Sequence, residues 1–179
     1  MRGSILVDQL TQIERCYGAD VIESALARLT PAQADEVRGT VSVSWLNVTT
    51  VTAFKTAVAE ELGQDPLDFQ REVVRAALGD TISTMWRALL SKLWDSAIVK
   101  RTPLLYSKTF DRGEMTLSEI EGTTATFVLT GWPDIPEYDC VGLSTGIEAL
   151  LDYAGRKPAT VRWSREAGKV LFCATWTAR

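Results

Sequence analysis

The C-terminal stretch of residues 137–176 constrains the fold most, because it joins one helical pattern to one hairpin pattern. Apolar residues recur every three or four positions from Cys140 to Ala154, which predicts an amphipathic helix. Gly155 stands where helices commonly end, and Pro158 prevents the helix from resuming. A helix of this kind needs an apolar surface to cover, and the rest of the chain must supply it.

Alternating apolar and polar residues predict that this surface is a sheet. Residues 159–164 and 169–176 alternate around a turn at 165–168, which is typical of an antiparallel hairpin. Three earlier segments share the alternation and are expected to form an antiparallel meander: 104–111, 114–121 and 123–130.

The first hundred residues carry helical signals instead, and Pro103 is expected to end this helical half. Thr30-Pro31 and Asp65-Pro66 each combine an N-cap residue with a proline at the first helical position. Gly79-Asp80-Thr81 is expected to break or kink a helix, and Trp45 is expected to be a buried anchor. The strongest amphipathic run, residues 82–98, is predicted to be central core.

The order of helices, meander, helix and hairpin predicts an α+β fold, with an N-terminal helical layer packed on a twisted antiparallel sheet. The 179 residues fit one domain, in which residues 1–40 form a helical extension and residues 41–179 the core.

Composition excludes several kinds of chemistry. The chain has no histidine, which removes Ser-His-Asp catalysis, histidine zinc sites and histidine-ligated haem. A net charge of −4 argues against nucleic acid as a partner, and the small basic cluster Lys100, Arg101, Lys108 and Arg112 is interpreted as charge at helix ends. The chain has no apolar run long enough to span a membrane and no secretory core. Its three cysteines favour a reducing cytoplasm.

Six short motifs carry a resemblance to a known superfamily: Trp45…Phe54…Leu62-Gly63, Gly113-Glu114-Met115, Thr123–Leu129, Gly131-Trp132-Pro133, Cys140 with Gly146, and Gly168…Phe172-Cys173-Ala174-Thr175-Trp176. Over residues 41–176 the chain resembles the bacterial relatives of the haem-NO-binding and four-vinyl-reductase-type domains, a superfamily that includes the core subunits of the TRAPP complex. Within it, the chain is most similar to an uncharacterised myxobacterial family.

The resemblance implies helices against a twisted antiparallel sheet, sometimes around an apolar ligand pocket, and frequent dimerisation through helices. It implies no haem, since the haem-binding branch needs an axial histidine, and we expect no cofactor and no metal. A pocket, if present, is expected to be lined by Trp86, Leu90, Trp94, Phe127, Trp132, Cys140, Trp163 and Cys173.

Two alternatives stay open at single sites. Cys140 and Cys173 form either a shared metal, redox or acylation site or two small buried side chains. Asp134, Glu137 and Asp139 form either a cation site or ordinary loop charge.

We predict a non-enzymatic interaction module with protein partners, in a cytoplasmic bacterial assembly or signalling system. The alternative is a sensor of an apolar small molecule. A homodimer is expected to form through apolar positions of the N-terminal helices: Leu6, Leu10, Ile13, Val21, Ile22 and Leu26.

Overall fold

The computed structural model describes residues 1–81 and 99–177. The chain divides into two compact units, Met1–Ala77 and Leu78–Arg179. Residues 1–40, predicted to be an extension, share the first unit with residues 41–77. A domain division at residue 40 stays a prediction.

The first unit is helical, and two of its helix starts follow from the sequence. Its helices are α1 (Gly3–Tyr17), α2 (Ala19–Ala27), α3 (Pro31–Arg38), α4 (Val48–Glu61) and α5 (Pro66–Thr81), the last of which continues into the second unit. Thr30 and Gln33 form a capping box at the start of α3, as predicted for Thr30. The Asp65 carboxylate accepts the Leu67 backbone N–H at 2.9 Å, which confirms the predicted cap of α5.

Two local expectations in this half of the chain differ from the structure. Helix α5 runs through Gly79, where a break or a kink was expected, so the break does not occur. A lone glycine costs a helix only about 1 kcal/mol, and no proline accompanies Gly79 to stop it. Trp45 was expected to be buried, but 46% of its surface is exposed.

Trp45 is exposed because residues 42–45 cap the start of α1 with their backbone carbonyl groups. Gly3 N–H donates to the Ser44 carbonyl at 2.8 Å, and Ser4 N–H donates to the Ser42 carbonyl at 3.1 Å. These bonds satisfy amide groups that a helix start leaves without partners. The Trp45 ring stays outside, against the Arg2 guanidinium at 5.1 Å.

The residues predicted to mediate dimerisation fall into two groups. Leu6, Ile13 and Leu26 are fully buried within the chain. Leu10, Val21 and Ile22 are only half-buried. Dimerisation stays a prediction, and the second group is the part of the predicted surface that a partner can reach.

The second unit contains a four-stranded antiparallel sheet in the order β1-β2-β4-β3. Its elements are α6 (Thr102–Thr109), β1 (Glu114–Glu121), β2 (Thr124–Thr130), α7 (Glu137–Tyr153), β3 (Ala159–Glu166) and β4 (Lys169–Trp176). The predicted hairpin is present, with Glu166 paired to Lys169. The α+β fold class is confirmed.

The first strand of the predicted meander is wrong, because residues 102–109 form helix α6. Pro103 lies in the first turn of α6, where a missing backbone N–H costs nothing. The sequence interpretation took the same proline as the end of the helical half.

One face of the sheet is apolar and buried. Phe127 pairs with Phe172, and Phe172 pairs with Trp163, so these three side chains share that face. Cys173 follows Phe172 directly and therefore points to the opposite face.

Helix α7 protects the outer edge of β3. Helix α7 begins at Glu137, earlier than predicted. Two carboxylates of α7 accept hydrogen bonds from backbone N–H groups of β3. Glu148 Oε1 accepts the Val161 N–H at 2.9 Å, and Asp152 Oδ1 accepts the Ala159 N–H at 3.0 Å. An edge strand satisfied in this way is a poor template for pairing with another chain.

Candidate functional site

The loop of residues 131–136, between β2 and α7, is the centre of the candidate site. Trp132 and Ile135 are buried, and the Ile135 N–H donates to the Trp132 carbonyl at 3.3 Å. Pro136 caps the start of α7 in an extended conformation. The apolar anchors of this loop fix where α7 begins.

Aromatic rings and one arginine cover this loop from the side of α6. The ring of Phe110 lies 5.1 Å from that of Tyr106 and 6.1 Å from that of Trp132. The Arg112 guanidinium lies 5.3 Å from the Trp132 ring and bonds Asp134 at 2.9 Å. Tyr106 donates its hydroxyl proton to the Arg112 carbonyl at 2.5 Å. These contacts hold the Arg112–Asp134 pair over the loop.

A second arginine links the loop to strand β3. Arg165 Nη2 donates to the Ile135 carbonyl at 2.6 Å, and its guanidinium lies 5.5 Å from the Trp163 ring. Arg165 also acts electrostatically on Cys140, in the first turns of α7. The structure thus brings the predicted site residues Trp132, Cys140 and Trp163 to one region.

Cys140 is a buried thiol rather than a nucleophile. Burial raises the pKa of its thiol to about 11; Arg165 lowers it, and Asp139 and Glu137 raise it further. Cys140 is therefore protonated at neutral pH, and only the thiolate attacks or binds metals. Cys173 is a free thiol that faces away from Phe127. This geometry favours two separate structural cysteines.

The acidic residues near this loop are engaged individually rather than as a cluster. Asp134 pairs with Arg112, Asp139 is buried, and Glu137 is exposed on the first turn of α7. Among the described residues, no group of three Cys, Asp or Glu side chains is arranged to hold a metal ion. The reading as ordinary loop charge is therefore favoured.

The remaining predicted pocket residues separate into two groups. Phe127 is fully buried on the apolar sheet face. Trp86, Leu90 and Trp94 lie outside the described residues. The predicted pocket as a whole stays a prediction.

Within the part of the chain that the structure describes, the buried atoms Trp132 Nε1 and Ser144 Oγ find no hydrogen-bond partner. A buried polar group without a partner costs about 1–3 kcal/mol, so each calls for an explanation such as a bound water or ligand. Ser144 was not predicted from the sequence, because a serine on a helix carries no local signal of burial. Arg112 and Arg165 were missed for a similar reason, since their contacts depend on the fold.

Three side chains of ligand type in this region, Tyr106, Tyr138 and Cys140, do not suit a haem iron. Haem is held by histidine, thiolate, methionine or tyrosinate, and the chain has no histidine. Burial raises the pKa of Tyr106 and of Tyr138 well above the ordinary value, with Asp139 adding to both shifts. Like the Cys140 thiol, these groups keep their protons at neutral pH, so an iron that bound one of them would have to displace a proton against a raised pKa.

No helix of the described residues has the length and hydrophobicity needed to cross a bilayer. No family model matches the sequence, and no curated protein is similar to it.

Solved structures do share the fold. The unliganded Fe(II) H-NOX protein from K. algicida is 10% identical, with a TM-score of 0.74 over 100% of this chain and 98% of that chain. The H-NOX protein from S. oneidensis in the Fe(II)NO state is 12% identical, with a TM-score of 0.71 over 99% and 100%. An oxygen-binding H-NOX domain related to soluble guanylate cyclases is 13% identical, with a TM-score of 0.68 over 99% and 96%. This chain therefore has a haem-NO-binding-like α+β fold.

Proposed function

We propose that this chain is a non-enzymatic protein-interaction module of a cytoplasmic bacterial assembly, which keeps the haem-NO-binding-like fold without a histidine-ligated haem. The observation that carries the proposal is the combination of whole-chain similarity to H-NOX structures with a sequence that contains no histidine. The raised pKa values of Cys140, Tyr106 and Tyr138 support it, because an iron could bind these groups only by displacing a tightly held proton.

Exposed apolar residues support a role in protein contacts. In the first unit, Val41, Val43 and Trp45 are exposed by 56%, 71% and 46%. In the second unit, Leu104 and Leu105 are exposed on α6. Clusters of large apolar side chains at a surface commonly mark interaction sites.

An enzyme is disfavoured by the chemistry of the candidate site. Cys140 and the buried tyrosines are protonated, and Arg112 and Arg165 are engaged with Asp134 and the Ile135 carbonyl. Among the described residues, no general base forms a hydrogen bond with the Cys140 thiol, which is the partner that an activated nucleophile requires.

A second candidate function, the sensing of an apolar small molecule, is favoured by one observation. Trp132 Nε1 and Ser144 Oγ are buried without a partner among residues 1–81 and 99–177, and a ligand with a polar atom would satisfy such groups. In this alternative the ligand lies in the second unit and carries a hydrogen-bond acceptor for the Trp132 indole.

The two functions differ in what the purified protein retains. We propose to express the full chain with haem supplied and to record its absorbance after purification. If the chain is an interaction module, its absorbance spectrum should show no Soret band. Denaturing extraction followed by mass spectrometry should then find no small molecule in stoichiometric amount. A stoichiometric haem band contradicts the proposal, and a stoichiometric apolar compound without haem supports the sensor instead.

A further inference from the structure

We infer that the outer face of helix α6 is a docking surface for an acidic amphipathic segment of a protein partner. This inference rests on the proposed interaction function and names the chemistry of the partner. The surface consists of Lys100, Arg101, Leu104, Leu105 and Lys108, which we call the α6 face.

Helix α6 is buried on one side, and the α6 face is the opposite side, which is exposed. Thr102 and Tyr106 are buried, and the Tyr106 hydroxyl is bonded to the Arg112 carbonyl. Leu104 and Leu105 point outward and are exposed by 58% and 46%. Two adjacent exposed leucines on a well-anchored helix form a ready apolar contact point.

Cations flank these leucines at helical spacing. Arg101 precedes Leu104 by three residues, and Lys108 follows it by four, so all three lie along one side of the helix. Lys100, Arg101 and Lys108 are exposed, and none of them forms an ion pair with the part of the chain that the structure describes. The protein as a whole carries a net charge of −4, so these three cations are opposite in sign to its overall charge.

Charge complementarity therefore selects the partner. A segment with apolar side chains at its centre and carboxylates on both sides would bury the leucines and neutralise the cations. Association of this kind is steered by electrostatics and weakens as salt is added.

The size of the surface excludes two other occupants. A stable dimer buries about 800 Å² on each partner, which two half-exposed leucines and three cations do not approach. Only two leucines of this surface could insert into an anionic membrane. Stable membrane binding requires more than one weak membrane-binding element. A short peptide segment matches the area.

The test uses the full chain and a fluorescent helical peptide of about four turns, with leucines along one side and glutamates flanking them. A second peptide has lysine in place of every glutamate. Fluorescence anisotropy measures the binding of both peptides at low and high salt. Vesicles of phosphatidylcholine, with and without phosphatidylserine, measure membrane binding in parallel.

Two double variants test the face itself. We expect Arg101→Glu with Lys108→Glu, and separately Leu104→Ser with Leu105→Ser, to weaken binding of the glutamate peptide by about tenfold or more. The matched control, Lys157→Glu with Arg162→Glu, reverses two exposed cations elsewhere in the second unit and should change binding less than about twofold.

Four outcomes overturn the inference: no binding of the glutamate peptide, equal binding of the lysine peptide, equal losses in the control variant, or vesicle binding that depends on Arg101 and Lys108. The last outcome assigns the surface to a membrane. If the purified protein contains no haem and no small molecule, any of these four outcomes refutes only the assignment of the α6 face as a docking surface. The proposed interaction function is then not affected. Retention of haem or of a small molecule instead contradicts the function itself.

Discussion

Gly113 supports the candidate site, and its replacement by alanine tests that role quantitatively. Its φ is +73°, a backbone conformation that residues with a side chain adopt only at a cost. A Cβ at this position would lie 2.8 Å from the Thr130 carbonyl oxygen and 3.2 Å from Cβ of Trp132. The carbonyl belongs to the paired strand β2 and cannot move freely, so the loop that carries Trp132 must shift.

Gly122→Ala is the matched control. Gly122 also has a positive φ, +56°, but a Cβ there would meet nothing within 4 Å. Both variants incur about 1–2 kcal/mol for the left-handed conformation. Both regain about 0.4–1 kcal/mol, because alanine restricts the unfolded chain.

The close approach at Gly113 adds about 1–3 kcal/mol, as overpacking in a tight interior does. We therefore expect Gly113→Ala to lower the melting temperature by at least about 2 °C more than Gly122→Ala, since 1 kcal/mol corresponds to roughly 2–4 °C for a chain of this size. Circular dichroism melts of the parent and both variants measure the difference. Equal losses in the two variants would refute the claim that the backbone of Gly113 supports the Trp132 loop.

Three further predictions concern thiols, the sheet edge and self-association. A maleimide at neutral pH should label the exposed Cys16 quickly and Cys140 only after unfolding. Burial also raises the pKa of the Cys140 thiol from 9.0 to about 11. The stabilisation that comes from keeping this thiol protonated in the folded state is therefore complete below pH 9 and is lost as the pH rises through 11. Labelling of both thiols at one rate would contradict the burial of Cys140. Glu148→Ala should destabilise the protein by about 1–2 kcal/mol in urea melts and Glu148→Gln by less, since glutamine keeps an acceptor for the β3 edge; equal losses would show that the acceptor is not what matters. If the chain dimerises through its first helices, light scattering should show a dimer, and the double variant Val21→Glu with Ile22→Glu should be a monomer. A monomeric parent protein would contradict this prediction.

Helix caps were predictable because their chemistry is local. Thr30 and Asp65 each bond amide groups within three residues, so sequence alone specifies the contact. Pro103 shows the limit of such reasoning, because a proline marks the first turn of a helix as well as the end of one. Trp45 was misplaced for a different reason: its segment caps α1 through backbone carbonyls, which no side-chain pattern reveals.

The candidate site was predictable only in part. Large aromatics often signal burial by their size, and Trp132 is buried whereas Trp163 is half-buried. The sequence named both as pocket residues, and that pocket stays a prediction. The arginines that organise the region, Arg112 and Arg165, were not identified as site residues. Their partners are a ring and a carbonyl that lie far away in sequence, so their roles follow only from the fold.

Native mass spectrometry of the full chain, expressed with haem supplied, tests the central claim most directly, because it reports haem, small molecules and oligomeric state in one spectrum. We expect masses that correspond to the polypeptide alone, as monomer or dimer. A dominant species heavier by one haem per chain would contradict it, because the protein would then work as a haem sensor despite having no histidine.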